Sequence, residues 1–353
     1  MEVQGHVDPA FAPVADAFAE GFTERGEVGA AVAIVVGGRA VVDLVGGTAD
    51  ESGAPWTPDT IVNAYSVVKP LTAACLLLLV ERGSVGLDDP VARWWPEFGA
   101  AGKEELTVRQ VLAHQAGLHL FEQPPALATL LDWQAMVDLL ARSTPAWPPG
   151  TAHAEHVATY GHLVGEVVRR VDGRTLGAFL REELAGPWSL DFHVGLSDEL
   201  QRRAADVVDP DGTFEAPLAR PVEMVDPAVV NGAAWRAAEI PAVNGHGTAL
   251  ALARFYAALG AGGAIDGVRL LSQELVTEAI RPQLVAPDRV LGRTAAWCLG
   301  VQADLEEGGF GMGGLGGNLG WWAGEGYAIG YVTRGLGDHG RVDAVESVFR
   351  ELL

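Results

Sequence analysis

The segment Asn63-Ala64-Tyr65-Ser66-Val67-Val68-Lys69-Pro70 sets a hydroxyl and an amine three residues apart at the start of an apolar run. On a helix that spacing brings the two side chains together one turn apart. A neutral Lys69 could then take the Ser66 proton, and the oxygen so freed is a nucleophile toward a carbonyl. The helix N-terminus favours the negative charge that develops there, and Pro70 is tolerated within a first turn. The spacing by itself is a weak signal, because Ser and Lys three apart recur by chance and the serine is then a plain N-cap. His246, in Asn244-Gly245-His246-Gly247-Thr248-Ala249, is a candidate for the substrate site, although a satisfied structural imidazole is the simpler reading. His153 and His156 have no third ligand in view, so no metal site is expected.

The elements that must position these groups are legible from periodicity. Residues 8–25 carry Phe11, Val14, Phe18 and Phe22 at helical spacing, so a helix is expected to open the protein. Residues 30–36 and 39–45 are β-rich runs joined by Gly37-Gly38, a two-residue hairpin that begins an antiparallel meander. Residues 67–82 read as a buried helix stopped by Gly83. From about 88 to 230 the segments are mostly helical, including 108–113, 133–141 and 160–171. A helix at 247–259, strands at 297–301, 320–323 and 328–333, and a helix at 341–353 follow. Strands near both ends with helices between them predict an α+β fold: a sheet lobe from 1–87 and 231–353, an all-helical lobe from 88–230, and a site in the cleft between them.

Composition narrows the function. The 24 basic and 46 acidic residues give a net charge of −22, which repels phosphate backbones and anionic lipid surfaces, so neither nucleic acid nor membrane is an expected partner. Two cysteines, Cys75 and Cys298, make no disulfide framework. Glu2 and Asp8 stand where a signal peptide would need basic residues and then an apolar run, and residues 71–80 are too short to span a bilayer; a cytoplasmic protein is expected.

The residues around Ser66, together with VGAAVAIVVGGRAVVDLVGG, LTVRQVLAHQAGL, TYGHLVGEVVRRVDGRTLGAFLREELAGP, NGHGTALALARFYAAL and FGMGGLGGNLG, resemble the β-lactamase-related serine esterases, akin to class C β-lactamases, along nearly the whole chain. The resemblance implies a β-lactamase/penicillin-binding-protein-like fold, a covalent acyl-serine intermediate, and no metal or organic cofactor. It also implies an oxyanion hole built from the backbone N–H groups of Ser66 and Leu315. Met312, Gly313, Gly314, Trp321 and Tyr160 then join His246 as the expected substrate-binding residues.

Two positions depart from the family pattern. Relatives carry a tyrosine that deprotonates the serine in a segment resembling PGTRHGYHALTYG; here the segment reads PGTAHAEHVATYG, which puts Glu155 at that place and leaves Tyr160 at the place of a second, structural tyrosine. Glu155 is therefore the candidate to inherit the role, against the plainer reading of an ion pair with Lys69. The basic residue expected before two small residues is Met312, which argues against β-lactam binding and for an uncharged or bulkier acyl group. The expected activity is acyl transfer through Ser66 from a small-molecule ester or amide, either to water, as an esterase, or to an amine or alcohol, as a transacylase of the kind found in natural-product tailoring. A ligand-binding homologue without turnover is the alternative from another class, and a β-lactamase or peptidase ranks third.

Overall fold

The octet GAAVAIVV is apolar throughout, so as a strand it needs cover on both faces. It forms β2 (Gly29–Val36), at the heart of the protein, in a computed structural model that describes residues 3–121, 123–216 and 221–353. Glu2 lies outside the described residues. Among them, nine strands form one sheet: β1 (Val3–Val7), β2, β3 (Arg39–Gly47), β4 (Leu284–Pro287), β5 (Thr294–Trp297), β6 (Gln302–Ala303), β7 (Phe310–Gly313), β8 (Leu319–Ala323) and β9 (Tyr327–Thr333). Their spatial order is β1-β3-β2-β9-β8-β7-β6-β5-β4, with every neighbouring pair antiparallel. Gly37 and Gly38 turn β2 into β3 with φ of 56° and 80°, a left-handed pair that glycine adopts without steric cost.

Alternation along β2 divides the core. Ala30, Val32 and Ile34 face Val14 and Phe18 of α1 (Pro13–Glu24) together with Val342, Val345 and Phe349 of the closing helix. Ala31, Ala33 and Val35 face the larger cluster, which takes in α2 (Val68–Glu81), α3 (Tyr160–Asp172) and α4 (Ala249–Gly260). The chain then ends with α5 (Gly340–Arg350). Helix α2 is buried along nearly its whole length, which explains why its sequence has no polar stripe. Gly83, with φ of 70°, follows its end.

All nine strands come from the two terminal stretches, whereas the described residues of 88–230 supply helices and a single two-residue strand, Phe192–His193, in a small second sheet with Val62–Asn63 and His246–Gly247. An antiparallel sheet flanked by helices is the architecture that the sequence resemblance implied.

Two details differ from the sequence expectation. The chain opens with a strand, β1, and not with a helix. Pro9 belongs to a separate 3-10 turn, and α1 starts only at Pro13. Gly5, at φ of 126°, and the short polar composition of β1 hide its strand character. Only Trp297 of the expected strand 297–301 is a strand residue, the last of β5; residues 298–301 form a turn in which Gly300, at φ of 99°, reverses the chain between β5 and β6. Among the described residues, no helix is long and apolar enough to cross a membrane.

Helix α4 lies directly on β9 because Gly330 has no side chain: a Cβ there would come within 2.1 Å of the Ala249 carbonyl oxygen and 2.9 Å of the Ala253 amide nitrogen. Gly330→Ala should therefore lower unfolding stability by about 1–3 kcal/mol, the usual cost of overpacking. Urea unfolding followed by circular dichroism reads the change, and an unchanged midpoint would show that α4 is free to move away.

Candidate active site

Ser66 is presented by a strained turn. Tyr65, immediately before it, is held at φ of 50°, a conformation a bulky residue adopts at a cost of about 1–3 kcal/mol. The surroundings impose it: Ala64 donates its N–H to the Gly245 carbonyl at 2.8 Å, and Tyr65 bridges Asn244. The Asn244 side chain is in turn buried, accepting from Ile240 N–H and donating to the Trp235 and Ala238 carbonyls.

Lys69, in the first turn of α2, is fully buried, and its Nζ donates to Ser66 Oγ at 2.6 Å and to Glu155 Oε1 at 3.0 Å. Ser66 Oγ has its own proton directed at Glu155 Oε1, 3.4 Å away. The three groups form a closed triangle in which the serine oxygen accepts from the lysine and donates to the glutamate. Burial lowers the Lys69 pKa from the ordinary 10.5, and the Glu155 carboxylate works against that shift.

Glu155 sits on a loop without regular structure, so its position depends on what grips the loop. His114 does so at two points from a left-handed backbone, φ of 59°: its carbonyl accepts Ala154 N–H at 3.3 Å and its Nδ1 accepts His156 N–H at 3.0 Å. His156 donates from Nδ1 to the Ala154 carbonyl at 2.8 Å and accepts Leu118 N–H on Nε2 at 3.2 Å. Burial pushes its pKa down to about 3, so the ring is a neutral brace at physiological pH. His153 bonds the Ala286 carbonyl at 2.9 Å. Both histidines that flank Glu155 are thus committed to backbone, and no metal-binding cluster occurs among the described residues.

A cavity of about 300 Å³ opens over Ser66 and Glu155. Val157, Leu291, Met312 and Leu315 give it apolar walls, and Gly313 and Gly314 bring backbone to its edge. Met312 is buried against Leu291 and Trp297, so the position where the sequence resemblance implies a basic residue is occupied by hydrocarbon and thioether. Neither the Ser66 nor the Leu315 N–H makes a hydrogen bond among the described residues, which leaves both donors available to a ligand oxygen.

Three expected substrate-binding residues lie elsewhere. Tyr160 is fully buried beneath the site, donates its hydroxyl to the Leu112 carbonyl at 3.1 Å and stacks on the His114 ring at 4.4 Å. Its place in the first turn of α3 turns it toward the core. His246 is buried within the small sheet, bonds the Asn244 carbonyl at 2.9 Å, and has its pKa pushed down to about 3 by burial. Trp321 covers Gly309 and Gly311 from the sheet face opposite to Trp322, which packs over Gly260; neither indole lines the cavity. Conversely, Arg293, Gln302 and His339 line it and were not expected. They belong to a loop, a short strand and a helix N-terminus far apart in sequence, and no local signal marks any of them.

The family model described as Beta-lactamase matches residues 14–348. The chain is 38% identical over 344 residues to the esterase/β-lactamase LipL of Mycobacterium tuberculosis, covering 90% of this chain and 80% of that one. It is 32% identical over 254 residues to the esterase EstB of Burkholderia gladioli, covering 67% and 60% respectively. Among solved structures, a family VIII carboxylesterase superposes over 100% of both chains with a TM-score of 0.92 and 34% identity. A penicillin-binding-protein homologue from Caulobacter crescentus does so with a TM-score of 0.90 and 34% identity.

Because the Tyr160 hydroxyl bonds only core backbone, Tyr160→Phe should leave kcat/KM for a small ester within about threefold while costing roughly 1 kcal/mol of stability from the orphaned carbonyl. A loss of two orders of magnitude in kcat with the fold intact would return the phenol to the catalytic machinery.

Proposed function

The chain belongs to the Beta-lactamase family, and on that premise we propose that it is a serine ester hydrolase in which Glu155, rather than a phenol, moves the proton. The observation that carries this reading is the triangle itself: Ser66 Oγ accepts from Lys69 and points its proton at Glu155. In acylation, Oγ attacks the ester carbonyl as its proton passes to Glu155, and the Lys69 ammonium stabilises the alkoxide as it forms. The carbonyl oxygen, now an anion, takes up the free Ser66 and Leu315 N–H groups. Collapse of the tetrahedral intermediate breaks the ester C–O bond, and protonated Glu155 returns the proton to the leaving alcohol. Water then attacks the acyl-serine with Glu155 again taking a proton, and the reverse transfer frees Ser66.

The apolar walls favour a hydrocarbon-rich acyl chain, and Met312 itself offers nothing to hold a carboxylate, which leaves Arg293 and His339 as the basic side chains lining the cavity. Names of relatives support the ester: LipL is called an esterase/β-lactamase and EstB an esterase. The acyl-serine is equally open to an alcohol or amine, so transfer to such acceptors accompanies hydrolysis. Product analysis with added amine measures how the intermediate divides between the two. The alternative of a silent binding protein requires the triangle to be only structural, and predicts no turnover of any ester.

Hydrolysis of p-nitrophenyl butyrate provides the test. Ser66→Ala should fall to background, and Glu155→Gln should lose about 10²–10³-fold in kcat/KM, the range for a missing general base. Glu155→Tyr, which installs the phenol that the family resemblance implies at this place, should recover part of that loss. Retention of most activity in Glu155→Gln would reduce Glu155 to an ion-pair partner.

The pH profile follows from the sign of the Lys69 shift. Burial lowers its pKa below 10.5, so the ammonium is lost before the ordinary lysine range, and kcat/KM should decline on the alkaline side as it goes. In the residual activity of Glu155→Gln, removal of the carboxylate that raises the Lys69 pKa should move that decline to lower pH. A rate that climbs steadily through pH 10 would instead make the free Lys69 amine the base.

A further inference from the structure

The loop that carries Leu315 has almost no side chains to hold it: Gly313 and Gly314 precede it, Gly316 and Gly317 follow, and the latter two sit at φ of 79° and 93°. Glycine peptides in that region have several accessible backbone states, so a fixed direction for the Leu315 N–H needs clamps on the neighbouring peptides. Three exist. Gly314 N–H donates to the Asn318 carbonyl at 2.7 Å, Asn318 Nδ2 donates to the Leu315 carbonyl at 2.8 Å, and Arg341 Nη2 donates to the Gly316 carbonyl at 2.7 Å. The Leu315 N–H lies between these clamped groups and donates to no backbone group among the described residues, so it is the free donor.

Arg341 comes from the first turn of α5 and is buried to 5% exposure of its side chain. Its second nitrogen lies 3.2 Å from Glu27 Oε2, and the Glu27 side chain has no exposed surface. The same Nη2 also donates to the Gly335 carbonyl at 2.7 Å. Glu27 additionally accepts from Tyr331 Oη and Thr333 Oγ1, each at 2.8 Å, and from the Val28 and Gly29 N–H groups. Thr333 N–H in turn holds Asn318 Oδ1 at 3.1 Å. Glu27 therefore governs both arms of the clamp, one through Arg341 and one through Thr333 and Asn318. A buried ion pair is weak support for stability compared with a well-packed apolar pair, so its placement against the one loop lacking side chains calls for another role.

We propose that Arg341, held by Glu27, is a positioning residue that fixes the Leu315 N–H as an oxyanion donor; the proposal rests on the hydrolase reading above, in which that N–H meets the tetrahedral oxygen. The planar guanidinium is needed because it satisfies two carbonyls and a carboxylate at once, which an ammonium on a flexible stem does less well. The effect is confined to the transition state, since the ester carbonyl in the ground state makes weaker use of the hole.

The test compares wild type, Arg341→Ala, Arg341→Lys and Glu27→Gln in three measurements: kcat and KM on p-nitrophenyl butyrate, thermal unfolding, and inhibition by n-butylboronic acid. The boronic acid adds to Ser66 as a tetrahedral anion. In folded variants kcat should fall about 10- to 100-fold with KM changed less than about threefold, and boronate affinity should fall by the same factor as kcat/KM. Arg341→Lys should lose less than Arg341→Ala. If one variant does not fold, the others carry the same expectation. Folded variants with kcat and boronate affinity within twofold of wild type, or with a loss confined to KM, would overturn the positioning role alone. If wild type neither hydrolysed the ester nor bound boronate in a Ser66-dependent way, the hydrolase reading would fall and the positioning role with it.

Discussion

An ammonium group with no exposure to water has to be compensated by nearby charge and acceptors, and Lys69 sets that requirement at the centre of this protein. Its two contacts, Ser66 Oγ and Glu155 Oε1, meet it, and in doing so they bring a nucleophile and a carboxylate into one triangle. The neighbouring structure follows from keeping that triangle closed. Helix α2 is buried almost all round so that its first turn can carry Lys69 inside. The Tyr65 turn accepts backbone strain to deliver Ser66. His114 and His156, both neutral, fasten the loop that holds Glu155 without adding charge beside the lysine.

The large sheet contributes differently. Its glycine-rich edge between β7 and β8 supplies backbone where a side chain would fill the cavity, and conformational freedom there is offset by polar side chains reaching in from the ends of the chain. Glu27 follows α1, and Arg341 opens α5, so the first and last helices converge on the same few peptides. Terminal elements that look like plain cover for the sheet thereby bear on the site.

Much of this was legible in the sequence where chemistry and local periodicity coincide. The pair Ser66 and Lys69 falls at helical spacing inside a strongly apolar run, and the β2–β3 hairpin announces itself through Gly37-Gly38. Glu155 stood out only through its alignment on the TYG that contains Tyr160, because a loop carboxylate has no periodic signature. Residue type misled where direction mattered: Tyr160, His246 and Trp321 have the right functional groups, but their backbones turn them into the core or onto the far sheet face. Arg293 and His339 were invisible for the opposite reason, since only tertiary folding brings a β-hairpin and the start of α5 to one cavity. Strand β1 escaped because edge strands need little hydrophobicity and Gly5 interrupts the pattern.

The central claim is that Ser66 carries the acyl group between donor and acceptor. Intact-mass spectrometry after rapid acid quench of the protein with p-nitrophenyl acetate tests it most directly. The account predicts one added acetyl group on the wild-type chain, a longer-lived adduct in Glu155→Gln because its removal needs the same carboxylate, and none in Ser66→Ala. An adduct that persists in Ser66→Ala, or hydrolysis by the wild type with no adduct at any quench time, would contradict it.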